Sequence, residues 1–148
     1  MPDSSKKKCL ARLKRTYCRL RASKVHGIGV FAIREIPEGE SVFYGSPKQK
    51  WVCFKKDELG RLPEEIKLMI DDFLPTDKQG GVSVPENGLN GMDISFFLNH
   101  SKKPNCRAVR NGSFITIRKI AKGEELTVNY TCFDPYFRQA KKFQNISS

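Results

Sequence analysis

Long apolar stretches are missing from this chain. Runs such as Val30-Phe31-Ala32-Ile33 and Phe96-Phe97-Leu98 fall far short of the roughly 20 residues that a membrane-spanning helix needs, so no such helix and no membrane partner are expected. A leader pattern is missing too. The charged residues 1–8 are followed by Leu10 and Ala11 and then by Arg12, Lys14 and Arg15, where a secretory signal would carry an apolar segment of about 7–15 residues. There is no CxxC pair and no close Cys/His cluster. The five cysteines (Cys9, Cys18, Cys53, Cys106 and Cys132) are an odd number, read as free thiols in a reducing, intracellular compartment. No repeat or coiled-coil period appears. Finally, acids are scarce at the N-terminus: residues 1–24 hold nine Lys or Arg against Asp3 alone. Of the net charge of +11, this stretch carries +8 and the other 124 residues only +3. That asymmetry makes residues 1–15 a basic arm, poorly ordered or a frayed helix, and either an attractor of a polyanion such as nucleic acid (or a nuclear import signal) or a solvated tail.

What is present suits one globular domain. The chain has 148 residues, 39% hydrophobic and 29% charged, enough for a single core and too apolar for a disordered chain. Cys18-Arg19-Leu20-Arg21 alternates apolar and basic residues, Gly27 and Gly29 interrupt, and the apolar run from Val30 resumes, which predicts two strands joined by a turn. Pro37-Glu38-Gly39-Glu40 predicts another turn, with residues 41–44 as the next strand. From Lys55 to Leu74 the spacing of Leu59, Leu62, Ile66, Ile70, Phe73 and Leu74 predicts the one substantial helix, with Pro63 in its first turn and Glu64-Glu65 at its positive end. A short strand is expected at 82–84. Strands at 107–109 and 114–118 flank an Asn111-Gly112 turn, and Lys122-Gly123 turns into a last strand over 126–130. This is a mainly β fold with few helices.

Three places concentrate possible chemistry. The Gly27-Ile28-Gly29 turn permits close backbone approach to a ligand, yet a lone GxG also serves as a plain hairpin turn. Asn99-His100-Ser101, entered from an apolar run and followed by Pro104-Asn105, gathers hydrogen-bonding groups where the chain leaves the core; it is a ligand site or a self-satisfied turn. Tyr130 ends a strand, where a tyrosine is commonly half-buried packing.

Together, the order, spacing and flanks of these segments resemble the SET-domain lysine methyltransferase family. His26-Gly27-Ile28-Gly29-Val30-Phe31-Ala32 with Ile36-Pro37-Glu38-Gly39-Glu40 is similar to the family's opening strands. Phe97-Leu98-Asn99-His100-Ser101 with Pro104-Asn105-Cys106 resembles its central signature, and Ile120-Ala121-Lys122-Gly123-Glu124-Glu125-Leu126-Thr127 with Tyr130 its closing one. The resemblance runs from about Tyr17 to Tyr136. It implies a β-clip type fold of small curved sheets with a C-terminal pseudoknot: a basic arm at 1–15, a SET domain at 16–137 with a variable insert at about 46–91, and a tail at 138–148. It also implies that Gly27, Ile28 and Gly29 line the methionine part of S-adenosylmethionine, that Asn99 and His100 hold its amino-acid and adenine ends, and that Tyr130, also a cofactor contact, is catalytic. Tyr44, Val128, Phe133 and Tyr136 would belong to the substrate channel; Phe133, Tyr136 and Phe137 are either an aromatic lid over it or anchors of the tail.

The implied reaction moves a methyl group from S-adenosylmethionine to a lysine ε-amine. That amine must first lose a proton against a reference pKa of about 10.4, which desolvation in an aromatic channel favours. Tyr130 would orient the nitrogen, so that positioning supplies most of the catalysis. Many members have Phe-Asp before the catalytic tyrosine; Val128-Asn129 here suggests a roomier pocket and multiple methylation. Many also hold zinc with three cysteines after that tyrosine and a fourth after the Asn-His-Ser triplet. Here Lys102 takes that last place and Cys132 alone follows Tyr130, so no metal site is expected.

The family's commonest targets make a histone or another basic chromosomal protein the expected substrate, at chromatin or a nucleoid. Basic charge on the enzyme opposes a basic tail unless acids such as Asp57, Glu58, Asp71 or Asp72 line the groove, or the arm holds nucleic acid beside the substrate. A homodimer that completes the site is a further expectation. The alternative readings are a catalytically inactive SET-like module that binds chromatin or nucleic acid, and a nucleic-acid-binding protein with incidental similarity, which lacks any recognisable reader motif.

Overall fold

A computed structural model describes residues 3–76, 79–109 and 113–132. Among them, strands β1–β8 form three small sheets and two α-helices accompany them, so the expected mainly β architecture is present. The chain divides into two compact units, one of residues 1–47 and 97–128, the other of residues 48–96 and 129–148.

The first unit is built on a four-stranded sheet of order β1-β2-β8-β5. β1 (Cys18–Ala22) and β2 (Ile28–Ala32) form the expected antiparallel pair, in register from Cys18 opposite Ala32 to Ala22 opposite Ile28. β8 (Glu125–Val128) runs antiparallel to β2, with Phe31 opposite Glu125, and parallel to β5 (Asn99–His100), with Asn99 opposite Thr127. The closing segment therefore lies between the opening strands and the Asn99-His100 segment. Val30, Ile36, Ile120 and Leu126 are fully buried around it, each worth about 1.5–3 kcal/mol of burial.

Side chains replace strand partners where this sheet runs out. Asn105, 3% exposed, donates its amide to the Glu125 carbonyl and accepts from the Thr127 N–H, both at 2.8 Å, and so pairs with β8 as a strand residue would. The Thr116 hydroxyl likewise clasps the Pro37–Glu40 turn, donating to the Pro37 carbonyl at 2.6 Å and accepting from the Glu40 N–H at 3.1 Å. Thr116 ends β7 (Phe114–Thr116), the antiparallel partner of β6 (Cys106–Ala108). The turn between them, expected at Asn111-Gly112, lies outside the described residues. Ile36 and Ile120 open two segments of the same pattern, Ile-x-x-Gly-Glu, and exchange both backbone hydrogen bonds at 2.9 Å.

Two expectations for this unit need correction. Residues 41–44 are not a strand: Ser41 makes an isolated bridge to Ile115 and the chain then turns, because Val42 donates to the Phe114 carbonyl and Gly45 follows at φ 86°. The helix at 64–73 is not the one substantial helix, since the arm folds as α1 (Ser4–Lys14). Asp3 caps it by accepting from the Ser5 N–H at 3.0 Å, good helix formers fill it, and Arg12 and Lys14 sit at its negative end. None of its residues is buried.

In the second unit α2 (Glu64–Phe73) follows Pro63, which stands at the N-cap, one place before the predicted first turn. The predicted apolar stripe is its inner face: Ile66, Ile70, Phe73 and Leu74 cluster with Leu59, Leu62, Phe54 and Val82. β3 (Trp51–Phe54), absent from the sequence-based expectation, pairs with β4 (Val82–Pro85). Among the described residues no helix is long and apolar enough to cross a membrane.

Candidate functional site

Between β1 and β2 the chain makes a tight loop organised by Ser23. Its backbone N–H donates to the Gly27 carbonyl at 2.8 Å, and its hydroxyl accepts from the Val25 N–H at 2.9 Å and the His26 N–H at 3.3 Å. Gly27 takes φ +49°, a conformation that L side chains rarely adopt, with open space where a Cβ would project. Gly29 is needed for a different reason: a Cβ there would lie 2.8 Å from Cδ of Glu125 and 3.1 Å from Nδ2 of Asn99.

Asn99, 7% exposed, reaches across to this loop. Its Nδ2 donates to the His26 carbonyl at 3.0 Å, to the Ile28 carbonyl at 3.3 Å and to the Glu125 carboxylate at 2.8 Å. The other carboxylate oxygen of Glu125 accepts from the Ser23 hydroxyl at 2.6 Å. The loop is thus held from both flanks, through Ser23 on one side and Asn99 on the other.

The sequence-predicted residues fall into groups. Gly27, Ile28, Gly29 and Asn99 are brought together here, and His100 follows Asn99 on β5, its backbone in register with Val128. Tyr44 sits on the 42–45 turn, with the Arg15 guanidinium 3.7 Å above its ring and Arg15 paired to Glu40 at 3.8 Å. The Val128 side chain is buried at 1% exposure. Two residues past the end of β8, Tyr130 opens a short 3-10 turn, Tyr130–Cys132, closed by the Cys132 N–H on the Asn129 carbonyl. Phe133, Tyr136 and Phe137 lie outside the described residues. Of the acids expected at a substrate groove, Asp71 is buried, whereas Asp57 and Glu58 line an open cleft of the second unit beside Lys55 and Phe54.

Ser23 and Glu125 were missed as site residues. Glu125 sits inside the closing motif, but nothing local distinguishes it from Glu124, which instead pairs with Arg118 at 2.9 Å on the surface. Hydrogen bonding to Arg118, then to the Ala121 N–H, holds the Glu124 carboxyl below its ordinary range. Two thiols are excluded from chemistry. Burial pushes Cys18 up to about 12, and burial, with a small contribution from Cys18, pushes Cys106 up to about 12, so neither is a thiolate at neutral pH.

A family model described as the SET domain matches residues 27–131, and the chain belongs to that family. Enzymes of the family are methyltransferases that use S-adenosylmethionine, and membership supports lysine methyltransferase activity in general. No curated protein sequence matches the chain. Among solved structures it is similar to a Plasmodium falciparum protein regarded as a histone methyltransferase, with 17% identity, TM-score 0.48 and coverage of 78% of this chain and 93% of that one.

Proposed function

We propose that the protein is a lysine N-methyltransferase that binds S-adenosylmethionine on the 26–29 loop and Asn99, with Tyr130 as its catalytic tyrosine. The observation that carries this reading is the Asn99 side chain tied to the carbonyls on both sides of Gly27, which joins the opening and central motifs into one cradle. The residues fit the cofactor's amino-acid end: a buried amide, bare backbone at Gly27 and open space beside it suit a ligand carrying an ammonium and a carboxylate. When bound, S-adenosylmethionine supplies the electrophilic methyl group. The Tyr130 hydroxyl then orients the lysine amine, and the loss of water around that amine disfavours its charged form, so that it enters as the free amine. Val128, smaller than the aromatic common at that place, leaves room for more than one methyl group. His100 holds the adenine end.

The substrate is a histone or another basic chromosomal protein, at chromatin or a nucleoid. α1 adds a polyphosphate contact: Lys6, Lys7, Lys8, Arg12, Lys14 and Arg15 stand exposed on or just after it, and such a surface binds nucleic acid with strong salt dependence. A homodimer completing the lysine channel belongs to the same reading. Labelled methyl transfer to histones, nucleosomes and a cell lysate, wild type against Tyr130→Phe, tests it. Label that the mutant abolishes is the expected result. No label in either, with no cofactor binding by calorimetry, overturns the enzyme in favour of the inactive binding module, whose support is the basic helix.

A further inference from the structure

We infer that Glu125 is a positioning residue for the cofactor loop: its carboxylate, accepting from Ser23 and Asn99, holds the 26–29 segment in its binding geometry and fixes which end of the Asn99 amide faces the ligand. This rests on the reading above that the loop and Asn99 hold S-adenosylmethionine.

A carboxylate only accepts hydrogen bonds. Three acceptors therefore surround Asn99 Nδ2, namely the Glu125 carboxylate and the His26 and Ile28 carbonyls, and a flipped amide would turn Oδ1 toward all three. Held this way round, Asn99 presents its carbonyl oxygen on the opposite side, as an acceptor for a ligand ammonium. On the other flank, Ser23 spends its single hydroxyl proton on Glu125, which leaves its oxygen to accept from the Val25 and His26 N–H groups that shape the turn. Ser23 and Glu125 lie 102 positions apart in sequence, and Asn99 and Glu125 lie 26 apart. One side chain thus orders both flanks of the loop. Gly29 makes this possible, because any side chain there would take the volume that the carboxylate occupies.

Glutamine at 125 has one acceptor oxygen in place of two, so Glu125→Gln keeps either the Ser23 or the Asn99 contact, and Glu125→Ala keeps neither. Amide hydrogen exchange on the ligand-free full chain is the first readout. Exchange over residues 26–29 should rise about tenfold or more in Glu125→Ala, less in Glu125→Gln and Ser23→Ala, and stay at the wild-type rate in the β6–β7 pair. The second readout is steady-state methyl transfer: KM for S-adenosylmethionine should rise at least tenfold in Glu125→Ala while kcat at saturating cofactor falls less than twofold. Unchanged exchange at 26–29, or a rise of the same size everywhere, overturns the proposal. So does a loss confined to kcat. If the wild type binds no S-adenosylmethionine, the functional reading fails, and the exchange measurement still decides whether Glu125 orders the loop.

Discussion

Asn105→Ala should destabilise the chain far more than loss of one small polar side chain from the surface would. The wild-type amide occupies the backbone partners of β8 at Glu125 and Thr127, each at 2.8 Å, in a place 3% exposed. Alanine leaves that carbonyl and that N–H buried and unpaired. Each orphaned group costs about 1–3 kcal/mol, so the pair costs about 4 kcal/mol. Against a domain stability of roughly 5–15 kcal/mol this is a large fraction, equivalent to a fall in Tm of about 8–16 °C. Asn105→Asp sharpens the argument: it keeps an acceptor for the Thr127 N–H but turns a second acceptor toward the Glu125 carbonyl, so it should recover at most half of the loss. Urea unfolding followed by circular dichroism measures all three proteins. A loss below about 1 kcal/mol in Asn105→Ala, or full recovery in Asn105→Asp, would refute the idea that this side chain stands in for a strand.

Two further outcomes follow from the packing. Gly29→Ala places a methyl against the Glu125 carboxylate and should cost about 2 kcal/mol through overpacking. In a Glu125→Ala background most of that cost should vanish, and a double-mutant cycle with additive effects would contradict the close approach. The buried thiols make stability fall on the alkaline side. Because the folded values of Cys18 and Cys106, about 12, lie above the ordinary 9.0, their contribution is complete below pH 9 and is lost as pH rises from 9 through 12. Between pH 8 and 9.5 the two together should lower the unfolding free energy by roughly 1–2 kcal/mol, and a Cys18→Ala/Cys106→Ala chain should show a correspondingly flatter profile in urea.

Much of this protein is legible in short windows. The alternation at Cys18-Arg19-Leu20-Arg21, the 3–4 spacing from Leu62 to Leu74 and the turns at Pro37–Glu40 and Lys122-Gly123 are local patterns, and the structure follows them. β3 was not legible, because Trp51-Val52-Cys53-Phe54 is apolar without alternation and becomes a strand by pairing with β4, about 30 residues away. α1 was half legible: a run of lysines reads either as a poorly ordered arm or as a frayed helix, and the Asp3 cap with Arg12 and Lys14 at the far end favours the helix. The family was legible because three motifs in order carry it, and the SET-domain match agrees.

The site divides in the same way. Sequence alone placed Gly27, Gly29, Asn99 and Tyr130 in motifs whose order marks the SET family, since residue type and order suffice for that. Only the tertiary structure decided that Asn99 turns its amine toward the carbonyls flanking Gly27, that Glu125 rather than Glu124 lies beneath Gly29, and that Asn105 pairs with β8. These contacts join residues from 20 to 96 positions apart, and such pairings are chosen by which polar groups are left unpaired after the sheet has closed, a quantity that no local window of sequence contains.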